Sequence, residues 1–483
     1  MTYDLIIRDG LIVDGTGSDP IRGDVAVKGD RIELVGDVAG AARHEMNVGG
    51  AVIAPGFIDV HTHDDRLLLI DPLVRAKVSQ GVTTVVTGNC GISLAPVFRN
   101  GPPPPPLTLL GGADAFRFDR FGAYLDDLEA RGSAVNVVPF VGHTSLRAST
   151  MVELDRPADE RAVAAMLDLL EEAMRAGAAG LTTGLYYPPA SAATAAEVEA
   201  LLRRVSEHGG LTTSHIRNEG SGLVEALQEA LSTARAAAVP LVISHLKCAA
   251  PEMWGRSGKI LALLDAAAKT QDIAFDVYPY DASSTMLLPD HLQGAKRVVV
   301  SWSEPHPDKA GQDLSDIAAC WCCSPAAAAA RLSPGGAIYF KMQEGDVRRI
   351  LEHPRAMVGS DGLPHDVHPH PRLWGTFARV LGRYVRDMQL LPLNEAIRKM
   401  TLLPAQVFGL ADRGVLAPGA KADITVFDAD IVIDRATYER PRQESLGIEA
   451  VLVNGELVWD GKVVTGRLGG RVLRRSGRAP VGR

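Results

Sequence analysis

The sequence predicts an α/β fold, a (β/α)8 TIM-like barrel with a small β-sandwich built from both chain ends and an insertion late in the barrel. Eight apolar strand segments carry the barrel, at 52–63, 83–87, 135–142, 180–183, 211–215, 241–245, 273–278 and 356–360. Between them, Ala/Leu/Glu-rich runs such as 160–176, 195–208 and 223–238 repeat apolar residues at helical spacing. Both chain ends instead hold short strands punctuated by glycine, the second with Asn454-Gly455 as a hairpin signal.

Residues 1–54, with strands at 4–8, 11–13, 24–28 and 31–35, form the first part of the sandwich. Residues 415–483, with strands at 423–428, 451–453 and 456–459, form the second. That leaves 55–414 for the barrel. The interval between the seventh and eighth strands is too long for one helix, so about 285–344 is expected to be an inserted subdomain. Five consecutive prolines at 102–106 predict a stiff polyproline spacer after the second strand.

The 483 residues are 46% hydrophobic and 22% charged, with a net charge of −8. This is ordinary globular composition and suits neither nucleic acid nor an anionic membrane surface. The first residues lack a signal-peptide pattern, and no apolar run reaches the length of a membrane span. Five unevenly spaced cysteines fit a reducing compartment, so the expected location is cytoplasmic. Composition fixes no oligomeric state, and a monomer is compatible with it.

Polar, metal-capable residues recur where the strands end. His61 and His63 close the first strand, and alternate strand residues share a face, so both imidazoles would point into the barrel mouth. Gly88-Asn89-Cys90-Gly91 follows the second strand, His143 the third, His215 the fifth, His245 the sixth and Asp361 the eighth. Thiolate, imidazole and carboxylate converging on one mouth make a zinc ligand set. His143 is suited to polarising a carbonyl or lining the pocket, and equally to a structural role with its hydrogen bonds satisfied. His365, His368 and His370 crowd a Pro-rich loop without structural-zinc spacing and are expected to be lid residues.

The chain resembles the amidohydrolase superfamily and, within it, the N-acyl-D-amino-acid deacylases. The likeness rests on Pro55-Gly56-Phe57-Ile58-Asp59-Val60-His61-Thr62-His63-Asp64-Asp65, Gly81-Val82-Thr83-Thr84-Val85-Val86-Thr87-Gly88-Asn89-Cys90-Gly91, Ser214-His215-Ile216-Arg217, Ser244-His245-Leu246-Lys247 and Gly359-Ser360-Asp361-Gly362. It spans essentially the whole chain. Many binuclear members bridge their metals with a carboxylated lysine ending the fourth strand, but 180–187 contains no lysine here, and Cys90 is available as the anionic ligand.

The resemblance implies one zinc ion held tightly by Cys90, His215 and His245, and a second, weaker position lined by His61, His63 and Asp361. It also implies hydrolysis of N-acyl-D-amino acids to a D-amino acid and a carboxylate by metal-activated water, with Asp361 shuttling the proton. Lys247, two residues after His245, and Arg372, on the loop after the eighth strand, are implied to bind the substrate carboxylate with a tyrosine, Tyr187 or Tyr278. The small-molecule substrate is the only partner expected. A dihydropyrimidinase-like cyclic-amide hydrolase conflicts with the missing lysine, and an inactive scaffold conflicts with the complete ligand set. For a side-chain carboxylate, Arg297 in the insertion is the one candidate cation, so the expectation leans towards apolar side chains.

Overall fold

The computed structural model describes residues 2–98 and 101–475. Eight strands form the barrel: Phe57–Asp59, Val82–Thr87, Asn136–Pro139 with its continuation Val141–Gly142, Gly180–Gly184, Leu211–His215, Leu241–Ile243, Ile273–Val277 and Ala356–Val358. They pair in parallel around the ring, and a Thr62–Gly362 bridge joins the last segment to the first. Parallel strands covered on both faces select β-branched residues, and Val82–Thr87 is β-branched and buried at every position. Ile58, Val86, Val138, Val242 and Met357 share a core with Ala405 and Phe408 of the helix Leu402–Phe408, so the barrel is filled rather than hollow.

The expected strand 52–63 is two strands and a loop. Val52–Pro55 belongs to the terminal sheet, paired with Tyr3–Ile12 and Ile424–Phe427, and the barrel strand begins only at Phe57. Gly56 makes the step between them: a Cβ there would lie 2.2 Å from the Thr83 side chain. The barrel strand ends at Asp59, so His61 and His63 lie beyond it. The extended register nevertheless continues, because Thr62 N–H donates to the Val86 carbonyl (3.1 Å). Likewise the sixth strand stops at Ile243 and the eighth at Val358, which leaves His245, Lys247 and Asp361 on loops.

Both chain ends join in one eight-stranded sheet. Ile7, Val25, Ile53, Val426 and Leu452, drawn from both ends, share its core. Segments 4–8 and 11–13 are a single strand, Tyr3–Ile12, with a register shift between Ile7 and Gly10. In the insertion, Ala282–Met286, Gly335–Phe340 and Val298–Ser303 form an antiparallel sheet over a separate core with the helices Leu314–Cys320 and Pro325–Leu332. Prolines 102–106 do not run straight: Leu107 N–H donates to the Pro104 carbonyl (2.9 Å), turning the run into the 3-10 helix Leu107–Leu109. No described helix is long and apolar enough to cross a membrane.

One buried ion-pair network ties the ends of the first and eighth strands together. Lys77 Nζ donates to Asp59 Oδ2 and to Ser360 Oγ, each at 2.8 Å, and lies 3.3 Å from Asp64. Ser360 N–H in turn donates to Asp59 Oδ1 (2.8 Å). All four residues are fully buried. Burial lowers the proton affinity of the Lys77 ammonium, and Asp59 and Asp64 outweigh it, so the pKa ends above its ordinary value. Removing that cation leaves two uncompensated buried carboxylates, an effect of about 3–5 kcal/mol. Lys77→Met is therefore expected to lower the urea unfolding midpoint strongly. An unchanged midpoint would show that the network does not support the fold.

Candidate metal centre

The loop 88–91 is built to present a thiol. Gly88 and Gly91 have φ of +80° and +75°, and a Cβ at either would meet backbone, Phe140 O at 2.1 Å or Gly184 N at 2.6 Å. Asn89 is anchored through Nδ2 to the Val86 carbonyl (2.9 Å) and accepts from Thr213 Oγ1 (3.2 Å). Cys90 between them sits at φ +53°, and His245 (+36°) and Asp361 (+50°) share that sparsely populated region. Such conformations cost about 1–3 kcal/mol each and persist where the surroundings dictate them. Three strained residues thus meet at one point.

Six side chains form an unbroken chain of contacts there. His63 Nε2 lies 3.2 Å from Asp361 Oδ1, which is 3.5 Å from His61 Nε2. His61 Nε2 is 3.2 Å from Cys90 Sγ, Cys90 Sγ is 3.3 Å from His245 Nε2, and His245 Nε2 is 3.1 Å from His215 Nδ1. All six are buried. Tetrahedral zinc with bonds of about 2.0–2.3 Å needs neighbouring donor atoms about 3.3–3.7 Å apart. The observed spacings are close to that, and the donors are the right type. The side chains fit the ion. The two expected positions adjoin in one continuous cluster, with Cys90 between His61 and His245.

The electrostatics point the same way. Burial pushes the Cys90 thiol up, but the ring of His61, His245 and His215 more than reverses it and holds the pKa well below the usual thiol range. Asp361 is likewise disfavoured as an anion by burial, and Arg372, His61 and His245 bring its pKa well below the carboxylate range. His63 is disfavoured as a cation by burial, yet contact with Asp361 and Cys90 lifts it to about 9. A thiolate and a carboxylate that draw protons onto buried imidazoles form a site that attracts positive charge.

Two carboxylates stand behind the imidazoles. Asp276 Oδ2 lies 3.4 Å from His61 Nδ1, and its other oxygen accepts from His245 N–H (2.9 Å). Glu219 Oε1 accepts from Lys247 Nζ (2.6 Å) and lies 3.1 Å from His245 Nδ1 and 3.4 Å from His215 Nε2. These are the ring nitrogens not used in the contacts with Cys90 or between His245 and His215, and partners there fix tautomer and ring orientation in metal sites. Both acids escaped notice in the sequence. The available signals were a lone charge inside the apolar strand Ile273–Val277, and a carboxylate four residues after His215.

A cavity of about 480 Å³ opens over the cluster and is lined by His63, Cys90, His215, His245, Asp361, Lys247, Tyr187 and Tyr278, among others. Arg372 is fully buried behind Asp361 and outside the lining, with Nη2 2.9 Å from Oδ2, and its guanidinium lies 4.6 Å from the Tyr278 ring centre. Its Nε and Nη1, and the Tyr278 hydroxyl, make no hydrogen bond. Tyr187 differs, its hydroxyl being bonded to Thr285 Oγ1 (2.7 Å).

His143 does not belong to this set. It opens the helix His143–Thr150, and its Nε2 meets Glu197 Oε1 (2.9 Å) in a buried ion pair shared with Arg147. It is absent from the cavity lining, so of the two roles open to it the structural one matches its contacts, and the substrate contact is not seen. His370 too is structural, accepting from Arg372 N–H (3.0 Å) and donating to the Ala282 carbonyl (3.1 Å).

Comparison with known proteins bears on these observations. An amidohydrolase family profile matches residues 44–280 and 266–459. The chain is 49% identical to D-aminoacylase of Alcaligenes xylosoxydans xylosoxydans, over 98% of each chain. It superposes with a TM-score of 0.95 and 47% identity on N-acyl-D-glutamate deacylase of Bordetella bronchiseptica, a structure complexed with zinc and a phosphonate inhibitor that mimics the tetrahedral intermediate. That match covers 98% of this chain and 100% of the other. L-Hydantoinase of Arthrobacter aurescens shares the fold alone, at 16% identity and a TM-score of 0.58, over 98% of this chain and 100% of the other.

Glu219 gives the arrangement a direct test. Glu219→Gln keeps the shape but removes the charge facing the two imidazoles, and loss of such a partner weakens metal binding by about 10- to 100-fold. Competition with a chromogenic chelator is expected to show that loss for zinc. Unchanged affinity would mean that Glu219 serves Lys247 alone.

Proposed function

The chain belongs to the amidohydrolase family, and from that premise we propose that it is a zinc-dependent deacylase cleaving N-acyl-D-amino acids to a D-amino acid and a carboxylate. The observation that carries this is the Cys90–histidine–Asp361 cluster beside a cavity that Lys247 and the unbonded Tyr278 hydroxyl also line, with Arg372 buried behind Asp361. Cys90, His215 and His245 are assigned the tight zinc position, and His61, His63 and Asp361 the weaker one. When bound, zinc polarises the scissile carbonyl and lowers the pKa of water to near neutrality. The cyclic-amide alternative has only the shared fold behind it.

The remaining chemistry belongs to the side chains. Asp361 lines the cavity as a carboxylate, so it can accept the proton of the attacking water and then deliver it to the departing amine nitrogen, which leaves poorly unless protonated. Cys90 supplies the anionic charge that the lysine-free fourth strand, Gly180–Gly184, does not. Arg372 and Tyr278, with three unbonded polar atoms between them, are assigned the α-carboxylate together with Lys247. Tyr187, held by Thr285, is assigned to the cavity wall. With the carboxylate and the scissile carbonyl both fixed, only one configuration at Cα places the side chain in the cavity. Chirality follows from this two-point hold. The five cysteines are unpaired, which supports the proposed cytoplasmic location.

A screen of N-acetyl-D- and N-acetyl-L-amino acids with zinc present tests the reading, and turnover is expected for the D series alone. Arg372→Ala is expected to cost about 10- to 200-fold in kcat/KM on the D-acids, the scale of one charge-assisted contact. It should cost little on the matching neutral amides. Equal losses on acid and amide would remove the carboxylate clamp, and L-series turnover would remove the stereochemical argument.

A further inference from the structure

The cavity contains a cation that the proposed reaction does not use. Lys341 follows the insertion strand Gly335–Phe340 and lines the cavity, half-buried. The other two cations near the reacting centre are each matched by a carboxylate, Lys247 by Glu219 at 2.6 Å and Arg372 by Asp361 at 2.9 Å. Lys341 Nζ has no hydrogen bond or ion pair among the described residues; its near neighbour is the Tyr339 ring, 5.6 Å to the centre. Burial lowers its proton affinity, and the carboxylate opposing that effect is Glu219, already engaged by Lys247. Asp290 and Glu252 also line the cavity, but both are exposed and neither pairs with it.

Its surroundings place Lys341 on a wall distinct from the Arg372 side. Tyr186 stacks on His215 at 5.0 Å and meets His291 at 5.0 Å, and His291 faces Tyr339 at 6.3 Å. His291 is kept neutral by burial and by Lys341, its pKa pushed down to about 4. The wall therefore offers two aromatic rings, a neutral imidazole and one uncompensated ammonium. Arg297, the cation suspected from the sequence, is unavailable: its Nε pairs with Asp313 Oδ2 at 3.0 Å.

Resting on the deacylase reading, we propose that the substrate carries a second carboxylate and that Lys341 binds it, making Lys341 a specificity-determining residue. The carboxylate can come from an acidic side chain, as in D-glutamate, or from a dicarboxylic acyl group. Either source replaces the expectation of purely apolar substrates.

The test compares wild type with Lys341→Met on two isosteric pairs, N-acetyl-D-glutamate with N-acetyl-D-glutamine, and N-succinyl-D-leucine with N-succinamoyl-D-leucine. In at least one pair the wild type is expected to favour the acid, and the pair that does so identifies the source. Lys341→Met is expected to lower kcat/KM for that acid by about 10- to 200-fold, with the neutral member changed by less than about threefold and Lys341→Arg restoring most of the loss. Turnover of the neutral substrates without acid preference, or equal losses on acid and neutral members, overturns this inference while leaving the deacylase reading intact. Absence of turnover on all four overturns both.

Discussion

Compensation of buried charge is the constraint on which the rest of this structure depends. A thiolate, a carboxylate and four imidazoles lie in one unbroken chain of contacts, nearly free of solvent. Anions so placed are costly unless paired, and here they draw positive charge from every direction. Each of the six reaches the cluster from a segment at or just beyond the end of a barrel strand. The fold delivers them, and the local backbone yields to the demand: Cys90, His245 and Asp361 all occupy left-handed conformations.

Behind the cluster the same constraint repeats in pairs. Glu219 faces Lys247, Asp361 faces Arg372, and Lys77 holds Asp59 beneath the Ser360-Asp361 turn. These pairs divide the labour. Those below the mouth fix where Asp361 and the first strand end. Those nearer the mouth hold Lys247 and Arg372, the cations assigned to the substrate carboxylate in the proposed function. The insertion contributes strand Ala282–Met286 and residues after Gly335–Phe340 to one wall of the cavity, where the proposed recognition by Lys341 sits. In the proposed reading, chemistry sits on the barrel and selection on the added subdomain, in line with loops carrying specificity on a shared scaffold.

Much of this was legible in the sequence, for a definite reason. Parallel strands buried on both faces read as short apolar runs, and ligand-type residues following such runs point to the mouth. His61, His63, Cys90, His215, His245 and Asp361 all carry that signal. Direction was not legible. His143 follows a strand equally well, yet opens a helix that turns it to Glu197. Lys247 follows His245 by two residues, but His245 is left-handed and off the strand, so the contact of Lys247 Nζ with His245 Nδ1 (2.7 Å) arises from loop geometry. The break at Gly56 was hidden because Val52–Pro55 and Phe57–Asp59 are equally apolar while serving different sheets. Glu219 and Lys341 were missed because their significance lies in which partners they have or lack, and sequence does not display partners.

The central claim is that Cys90 binds, as a thiolate, the metal on which deacylation depends. Titrating metal-free protein with cobalt(II), while recording thiolate-to-cobalt charge-transfer absorption and turnover of an N-acetyl-D-amino acid together, tests it most directly. The account predicts that band and activity rise in parallel and level off at one equivalent, and that Cys90→Ala shows neither at the same loading. Wild-type turnover in Cys90→Ala, or an active wild type without the thiolate band, would contradict it.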